Sequence, residues 1–131
     1  MASDAIFVPN EAPSKEGYLT KRSDGLWTWR RRYFKLVRNQ LFFMAAPADK
    51  PHGVIELRHC LTVKSAEDKT GKPHAFEIAT PDKVFFLFAD SDVEKDEWIG
   101  KIGKAIVDNS RAHIREVVEL DEDGDDDGDG E

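Results

Sequence analysis

Residues 16–36 read EGYLTKRSDGLWTWRRRYFKL, and this stretch decides the fold. Two segments rich in aromatic and aliphatic side chains, 16–22 and 29–38, flank a polar turn that contains Ser23, Asp24 and Gly25. Such a pattern predicts two antiparallel β-strands joined by a loop. The same texture continues to Ala89, where turn residues separate further short segments, and we predict strands near 40–46, 53–58, 61–65, 74–80 and 83–89. Seven short strands predict a mainly β domain, either an antiparallel sandwich or a barrel.

The pattern changes from strand to helix after Ala89. Ser91 is a suitable N-cap residue, and acidic residues follow it where the helix dipole favours them. The apolar residues recur at approximately helical spacing: Val93, Trp98, Ile102, Ala105 and Ile106. We predict that this helix ends near Val107 or Asn109, and the apolar residues within 110–120 fit a helical continuation.

The chain divides into three parts. Residues 1–15 form an irregular leader, in which Ile6, Phe7 and Val8 are available to pack on the domain. Residues 16–109 form the folded domain, and 110–131 form a C-terminal extension. The extension ends in DEDGDDDGDGE (121–131), whose charge repulsion and glycines predict disorder.

The charge is divided unevenly along the chain. The net charge is −7, but residues 116–131 contribute 10 acidic groups and no basic one, so residues 1–115 have a net charge of +3. Residues 15–38 alone have a net charge of +6. The acidic tail either only keeps the protein soluble or folds back on this basic segment, where it would compete with an anionic ligand.

Strand alternation predicts where the basic side chains point. Phe34 and Leu36 are core residues by type, so Arg30 and Arg32 share their face. Lys21 shares a face with Leu19 in the same way. Burying unpaired charges is costly, so these three cations are expected to line an open mouth where they meet an anion. The alternative is a solvated strand whose arginines pair with neighbouring strands.

These residues resemble the N-terminal half of a pleckstrin homology (PH) domain. The family motif has a Lys at the end of the first strand, a variable loop, and then Lys/Arg-x-Arg and two aromatic residues. The matching residues here are Lys21, Arg30, Arg32, Tyr33 and Phe34. The resemblance covers residues 16–108 and includes the single helical Trp98. It implies a seven-stranded, strongly bent antiparallel sheet, or partly open barrel, capped by a C-terminal α-helix.

The resemblance also implies a phosphoinositide head-group site at the open end of the sheet. We expect Lys21 and Arg32 to hold one ring phosphate, with Arg30 and Arg22 flanking it, because Arg binds phosphate bidentately and Lys as a point charge. Relatives selective for polyphosphorylated head groups have a Tyr and a basic residue where this chain has Phe43 and His52. His52 therefore belongs to the expected binding residues, although imidazole is mostly neutral at pH 7.

The first loop adds an apolar tip, formed by Leu26 and Trp27. An apolar and aromatic tip beside a basic mouth is suited to insertion into the interfacial zone of a membrane. The alternative is that Trp27 folds back and anchors the loop.

Several classes of function find no support in the sequence. The chain has one cysteine, Cys60, its four histidines lack ligand spacing, and the acidic tail ends before an EF-hand loop would be complete. No nucleophile motif or phosphate-binding glycine loop is present, so we predict no enzyme, no catalytic residue, no cofactor and no metal site. The acidic net charge makes a nucleic-acid partner a poor fit.

The sequence thus predicts a cytoplasmic domain that associates peripherally with membranes. It has no apolar run of about 20 residues that would span a bilayer. Its expected partners are phosphoinositides or other anionic lipid head groups on the cytosolic membrane surface, to which it recruits the protein as a non-catalytic adaptor. The alternative is a PH-like protein-interaction module that binds a peptide, a GTPase or a basic protein such as a histone.

Overall fold

The computed structural model describes residues 6–23, 25 and 28–121, and it describes side chains as far as Asn109. The expected membrane-inserting pair, Leu26 and Trp27, and the tail beyond Asp121 lie outside the described residues. The elements follow the chain in the order β1 (Lys15–Arg22), β2 (Trp29–Val37), β3 (Gln40–Met44), β4 (Gly53–Glu56), β5 (Thr62–Ser65), α1 (Glu67–Thr70), β6 (Ala75–Ala79), β7 (Val84–Phe88) and α2 (Asp92–Asp121).

The seven strands form one antiparallel sheet in the order β4-β3-β2-β1-β7-β6-β5. The sheet is not closed, because β4 and β5 are its two edges. The expectation of seven antiparallel strands followed by a helix is confirmed, and the strands form one sheet rather than a two-sheet sandwich. All eight residues of β1 pair with β2, from Lys15 opposite Leu36 to Arg22 opposite Trp29. Only Thr20 and Lys21 pair with β7.

The inner face of the sheet carries the main core. Its buried members come from both halves of the sheet, from the residues that follow β4 and β7, and from α2: Leu19, Phe34, Leu36, Leu41, Ile55, Leu57, Phe76, Ile78, Leu87, Ala89, Trp98 and Ile102. Burial of this many apolar side chains is the dominant favourable contribution to folding. Helix α2 completes this core, as the helical spacing of Trp98 and Ile102 predicts.

The outer face of β2 and β3 has a second, smaller core. Val37 and Phe42 are buried there, and Ile6 and Val8 of the leader pack against the same cluster. Of the three apolar residues that the sequence made available for packing, Ile6 and Val8 thus pack on the domain. Phe7, between them, is 79% exposed.

The helices confirm part of the sequence prediction and differ from it in two ways. Ser91 caps α2 as expected, since its Oγ accepts a hydrogen bond from the Glu94 amide at 3.2 Å. Val93 was expected on the apolar face, but it is 66% exposed, because this first turn buries Lys95 instead. Helix α2 continues without a break to Asp121, which agrees with the helical continuation expected beyond Asn109, whereas the short helix α1 was not predicted. Among the described residues, no helix is long and apolar enough to cross a membrane.

Candidate functional site

A small cavity lies beside the loop that joins β1 and β2. Its volume is about 160 Å³, and its lining combines three cations with an aromatic ring, an imidazole and a hydroxyl: Lys21, Ser23, Arg30, Arg32, Phe43 and His52. Four of the five residues expected to bind a head group are thus brought together here: Lys21, Arg30, Arg32 and His52.

The pairing of β1 with β2 explains why the cations meet. Lys21 lies opposite Arg30, and Leu19 lies opposite Arg32. Directly opposed residues point to the same face of a sheet, and Leu19 is fully buried in the inner core. The three cations therefore continue the inner face beyond the end of the apolar core, which confirms the register that strand alternation predicted.

Aromatic rings hold the Lys21 ammonium at the mouth of the cavity. Its Nζ lies 5.1 Å from the centre of the Phe43 ring and 5.6 Å from that of Phe85. Lys83, in the turn between β6 and β7, also lies over Phe85, with its Nζ 4.7 Å from the ring centre. The ring faces attract both ammonium groups, so Lys83 adds a cation close to Lys21 that the sequence did not suggest.

Arg32 and His52 are linked by a hydrogen bond. Arg32 Nε donates to His52 Nε2 at 3.3 Å, while Arg32 Nη1 donates to the Arg31 carbonyl at 2.8 Å. The imidazole is perpendicular to the ring of Phe43, with 5.4 Å between the ring centres. The β4 end of the sheet thus orients the Arg32 guanidinium.

Comparisons with known families and structures agree with the fold. The family model described as "PH domain" matches residues 13–107. The chain belongs to the PH domain family. Its relatives include Pleckstrin homology domain-containing protein 1 of Arabidopsis thaliana, with 44% identity over 106 residues that cover 76% of this chain and 73% of that protein.

Two further comparisons concern proteins whose names or titles mention inositol phosphates or inositides. The mouse Dual adapter for phosphotyrosine and 3-phosphotyrosine and 3-phosphoinositide is 37% identical over 98 residues, which cover 74% of this chain but only 35% of that protein. The C-terminal PH domain of pleckstrin in complex with D-myo-Ins(1,2,3,4,5)P5 is 34% identical, with a TM-score of 0.61 over 72% of this chain and 98% of that domain.

Arg22 lies on the opposite face of the PH domain from the cavity. Its guanidinium is 4.3 Å from the centre of the Phe86 ring, and it does not line the cavity. Trp29, its partner across the β1–β2 pair, lies 5.2 Å from Phe88 on this outer face. The structure therefore separates Arg22 from the other four expected binding residues.

Arg31 also belongs to the outer face. Its two terminal nitrogens donate to the two carboxylate oxygens of Asp90, at 2.9 and 3.2 Å. This hydrogen bond from Arg31 is the main reason that the pKa of Asp90 is lowered and that of Arg31 is raised. Arg31 thus pairs with Asp90 at the end of β7, as expected for an arginine on a solvated strand. Arg30 and Arg32, by contrast, line the cavity.

The described part of the first loop is closed by hydrogen bonds between its two ends. The Ser23 amide donates to the Thr28 carbonyl at 2.7 Å, and the Thr28 amide donates to Ser23 Oγ at 3.2 Å. The Ser23 amide therefore already has a partner within the loop. Its hydroxyl lines the cavity instead.

A second group of polar side chains lies away from the cavity, and sequence spacing did not reveal it. Glu67, His74 and Asp92 have ligand atoms within 4.8 Å of one another. Each is already engaged: His74 Nδ1 bonds Asp92 at 2.8 Å, and Glu67 accepts from the His74 amide at 2.8 Å and from Lys95 at 3.3 Å. The hydrogen bond from His74 lowers the pKa of Asp92. We interpret this cluster as a link between α1, β6 and α2.

Proposed function

We propose that this PH domain binds phosphoinositides or other anionic lipid head groups and recruits the protein to the cytosolic membrane surface, without catalysis. The observation that carries the proposal is the convergence of Lys21, Arg30 and Arg32 on one open cavity. No residue described as lining this cavity is acidic. Because several positive charges converge on one surface whose described lining is free of acidic residues, an anion is the ligand that suits it.

The chemistry of the three cations suits a phosphorylated ring. Arginine donates two parallel hydrogen bonds to a phosphate, and lysine supplies a compact charge on a flexible stem. Arg30 is exposed, while Arg32 and Lys21 are half-buried. A phosphate is therefore expected to contact Lys21 and Arg32 inside the cavity and Arg30 at its rim. The complex of the pleckstrin relative with an inositol pentakisphosphate supports this ligand class.

The sequence of the first loop supports a second, apolar contact with a membrane. Leu26 and Trp27 belong to the loop next to it, and we propose that they insert into the interfacial zone of the bilayer. Basic residues near an anionic leaflet contribute about 1 kcal/mol each, so Lys83 would strengthen the same orientation. The protein would thus associate peripherally through head-group binding and loop insertion together.

Liposome co-sedimentation tests the proposal. Phosphatidylcholine vesicles that contain single phosphoinositides or phosphatidylserine are compared with plain vesicles, using wild type, Lys21→Ala and Arg32→Ala. The control is Arg58→Ala, which removes an exposed cation that does not line the cavity. We expect lipid-dependent pelleting of wild type and Arg58→Ala and strongly reduced pelleting of the other two. If wild type does not pellet with any anionic vesicle, the protein-interaction alternative replaces this proposal.

A further inference from the structure

Ser23, which directly follows β1, contributes a hydroxyl to the lining of the head-group cavity. Its Oγ lies 2.8 Å from Thr28 Oγ1 and accepts a hydrogen bond from the Thr28 amide at 3.2 Å. Both contacts are exposed, so the hydroxyl can be reached from solvent. The Ser23 amide donates to the Thr28 carbonyl at 2.7 Å, and this bond does not involve the hydroxyl. A group added to Oγ would therefore leave a backbone bond that closes the loop in place.

The cavity around this hydroxyl is positively charged. Lys21, Arg30 and Arg32 line it together with Ser23, and none of the residues described in the lining is acidic. A phosphorylated serine carries a charge of about −1.5 to −2 at pH 7 and forms charge-assisted hydrogen bonds when it lies opposite a cluster of arginines. A phosphoryl group on Ser23 would therefore be attracted to the same side chains that are expected to bind the head group.

The sequence around Ser23 suits a serine kinase that recognises basic residues. Lys21 and Arg22 occupy the two positions before it, and Asp24 is the only acidic residue within 17–35. Kinases discriminate among substrates by such charge patterns. The reaction transfers the γ-phosphoryl group of a nucleoside triphosphate to Ser23 Oγ. The new O–P bond replaces the bond to the β-phosphate oxygen, the hydroxyl proton passes to the catalytic base of the kinase, and a nucleoside diphosphate leaves.

We propose that Ser23 is a phosphorylation site and that its phosphoryl group occupies the cavity, where it replaces the head group and switches membrane binding off. This inference rests on the proposed function, because it concerns the regulation of the same cavity. An anion tied covalently to the loop has a high effective concentration at the cations, whereas a free head group is bound from solution. Phosphorylation also reduces the positive charge that attracts the domain to an anionic membrane.

Isothermal titration calorimetry with soluble D-myo-Ins(1,2,3,4,5)P5 tests the switch. The full chain carrying phosphoserine at position 23 is compared with wild type, Ser23→Glu and Ser23→Ala. We expect phosphorylation to weaken binding about tenfold or more, Ser23→Glu to weaken it less because it adds one charge, and Ser23→Ala to remain within about threefold of wild type. Removal of the phosphoryl group by a phosphatase should restore the wild-type affinity.

Thr62→Glu is the matched control for the added charge. Thr62 is exposed on the edge strand β5 and does not line the cavity, so this variant should also remain within about threefold of wild type. A loss as large as that of Ser23→Glu would mean that net charge alone weakens binding, and it would overturn the occupation of the cavity.

Phosphorus NMR of the phosphorylated chain reports where the phosphoryl group lies. Its second pKa is ordinarily about 6, and neighbouring cations lower this pKa because they favour the doubly charged form. We expect a lowered pKa in the otherwise wild-type chain and a return towards about 6 when Arg32→Ala is combined with phosphoserine at position 23. A pKa of about 6 in both proteins would place the phosphoryl group in solvent and would overturn its occupation of the cavity.

Mass spectrometry after incubation with ATP and serine kinases directed by basic residues tests the modification itself. We expect a phosphoryl group on Ser23 of wild type and none at this position of Ser23→Ala. Absence of the group from Ser23 in every kinase reaction would overturn the modification site. Unchanged affinity of the phosphorylated chain would overturn the switch and leave the proposed function standing. If wild type binds neither the inositol phosphate nor anionic vesicles, the switch and the proposed function fail together.

Discussion

The ring of Phe43 lies directly over Gly53, its partner across the β3–β4 pair, so that a Cβ atom at position 53 would overlap the ring. The ring cannot move aside freely, since it packs against Phe34 and His52, with ring centres 5.5 and 5.4 Å away. We predict that Gly53→Ala lowers the free energy of unfolding by about 1–3 kcal/mol, the usual cost of overpacking. It should also weaken head-group binding, because Phe43 supports Lys21 and His52.

Urea unfolding and calorimetric titration with the same inositol phosphate measure the two effects. Gly100→Ala is the matched control, because nothing lies within 4 Å of a Cβ at this exposed position of α2. Alanine is a better helix former than glycine, so we expect that variant to be more stable by about 0.5–1 kcal/mol with unchanged binding. A Gly53→Ala protein as stable as wild type would show that Phe43 moves without cost.

Arg22 and Arg32 offer a comparison between the two faces of the sheet. Arg32 lines the cavity, whereas Arg22 lies over Phe86 on the outer face. A charge-assisted hydrogen bond contributes about 1.5–3 kcal/mol, so we predict that Arg32→Ala weakens binding of soluble inositol phosphate by about tenfold or more. Arg22→Ala should weaken it by less than about threefold, through the lost long-range charge alone. Equal losses in the calorimetric titration would mean that the ligand contacts both faces.

The pair between Arg31 and Asp90 gives a pH-dependent contribution to stability. The pKa of Asp90 is lowered in the folded protein because Arg31 donates hydrogen bonds to its carboxylate. The stabilisation is therefore present above the unfolded pKa of about 3.9 and is lost as the pH falls through the lower folded pKa. Both side chains are more than half exposed, at 52% and 59%, so solvent screening limits the contribution to about 0.2–1 kcal/mol.

We accordingly predict that Asp90→Asn is less stable than wild type by that amount at pH 7 and that the difference shrinks towards pH 3. Urea unfolding of both proteins at the two pH values and low ionic strength measures this difference. Asp82→Asn is the control, because Asp82 lies in the turn between β6 and β7 and forms no ion pair with any of the described residues. A difference that grows in acid would contradict the assigned sign.

The alternation of side chains along β1 and β2 made the cavity predictable from the sequence. Leu19 and Phe34 are core residues by type, and a strict period of two then assigns Lys21, Arg30 and Arg32 to the same face. The same rule places Arg22 on the other face, so its expected flanking role did not follow from the strand geometry.

Other features depend on contacts that no local pattern reveals. Lys83 approaches Lys21 because β7 pairs with β1, and the order of strands in a sheet is a property of the whole chain. Lys95, rather than Val93, is buried in the first turn of α2, because its ammonium reaches Ser65 and Glu67 at 3.3 Å. The extension of helix α2 past Asn109, by contrast, follows from the local sequence, because residues 110–121 contain no Gly or Pro that would end it.

Replacing Leu26 and Trp27 together separates membrane insertion from head-group binding. Both residues belong to the loop beside the cavity, whose described ends are tied by Ser23 and Thr28. If the loop tip inserts into the interfacial zone, Leu26→Ala/Trp27→Ala loses apolar contact with the bilayer but keeps the cations. We predict about tenfold weaker partitioning to phosphoinositide vesicles, with the affinity for soluble inositol phosphate within about twofold of wild type.

Co-sedimentation and calorimetry on the same preparations measure the two affinities, and urea unfolding checks that the double variant is folded. Arg32→Ala provides the opposite pattern, because it should weaken binding to vesicles and to the soluble ligand alike. If the double variant loses both affinities equally while remaining as stable as wild type, Trp27 acts on the head-group site, and the insertion proposal fails. Unchanged vesicle binding would equally exclude insertion and leave the cations as the membrane contact.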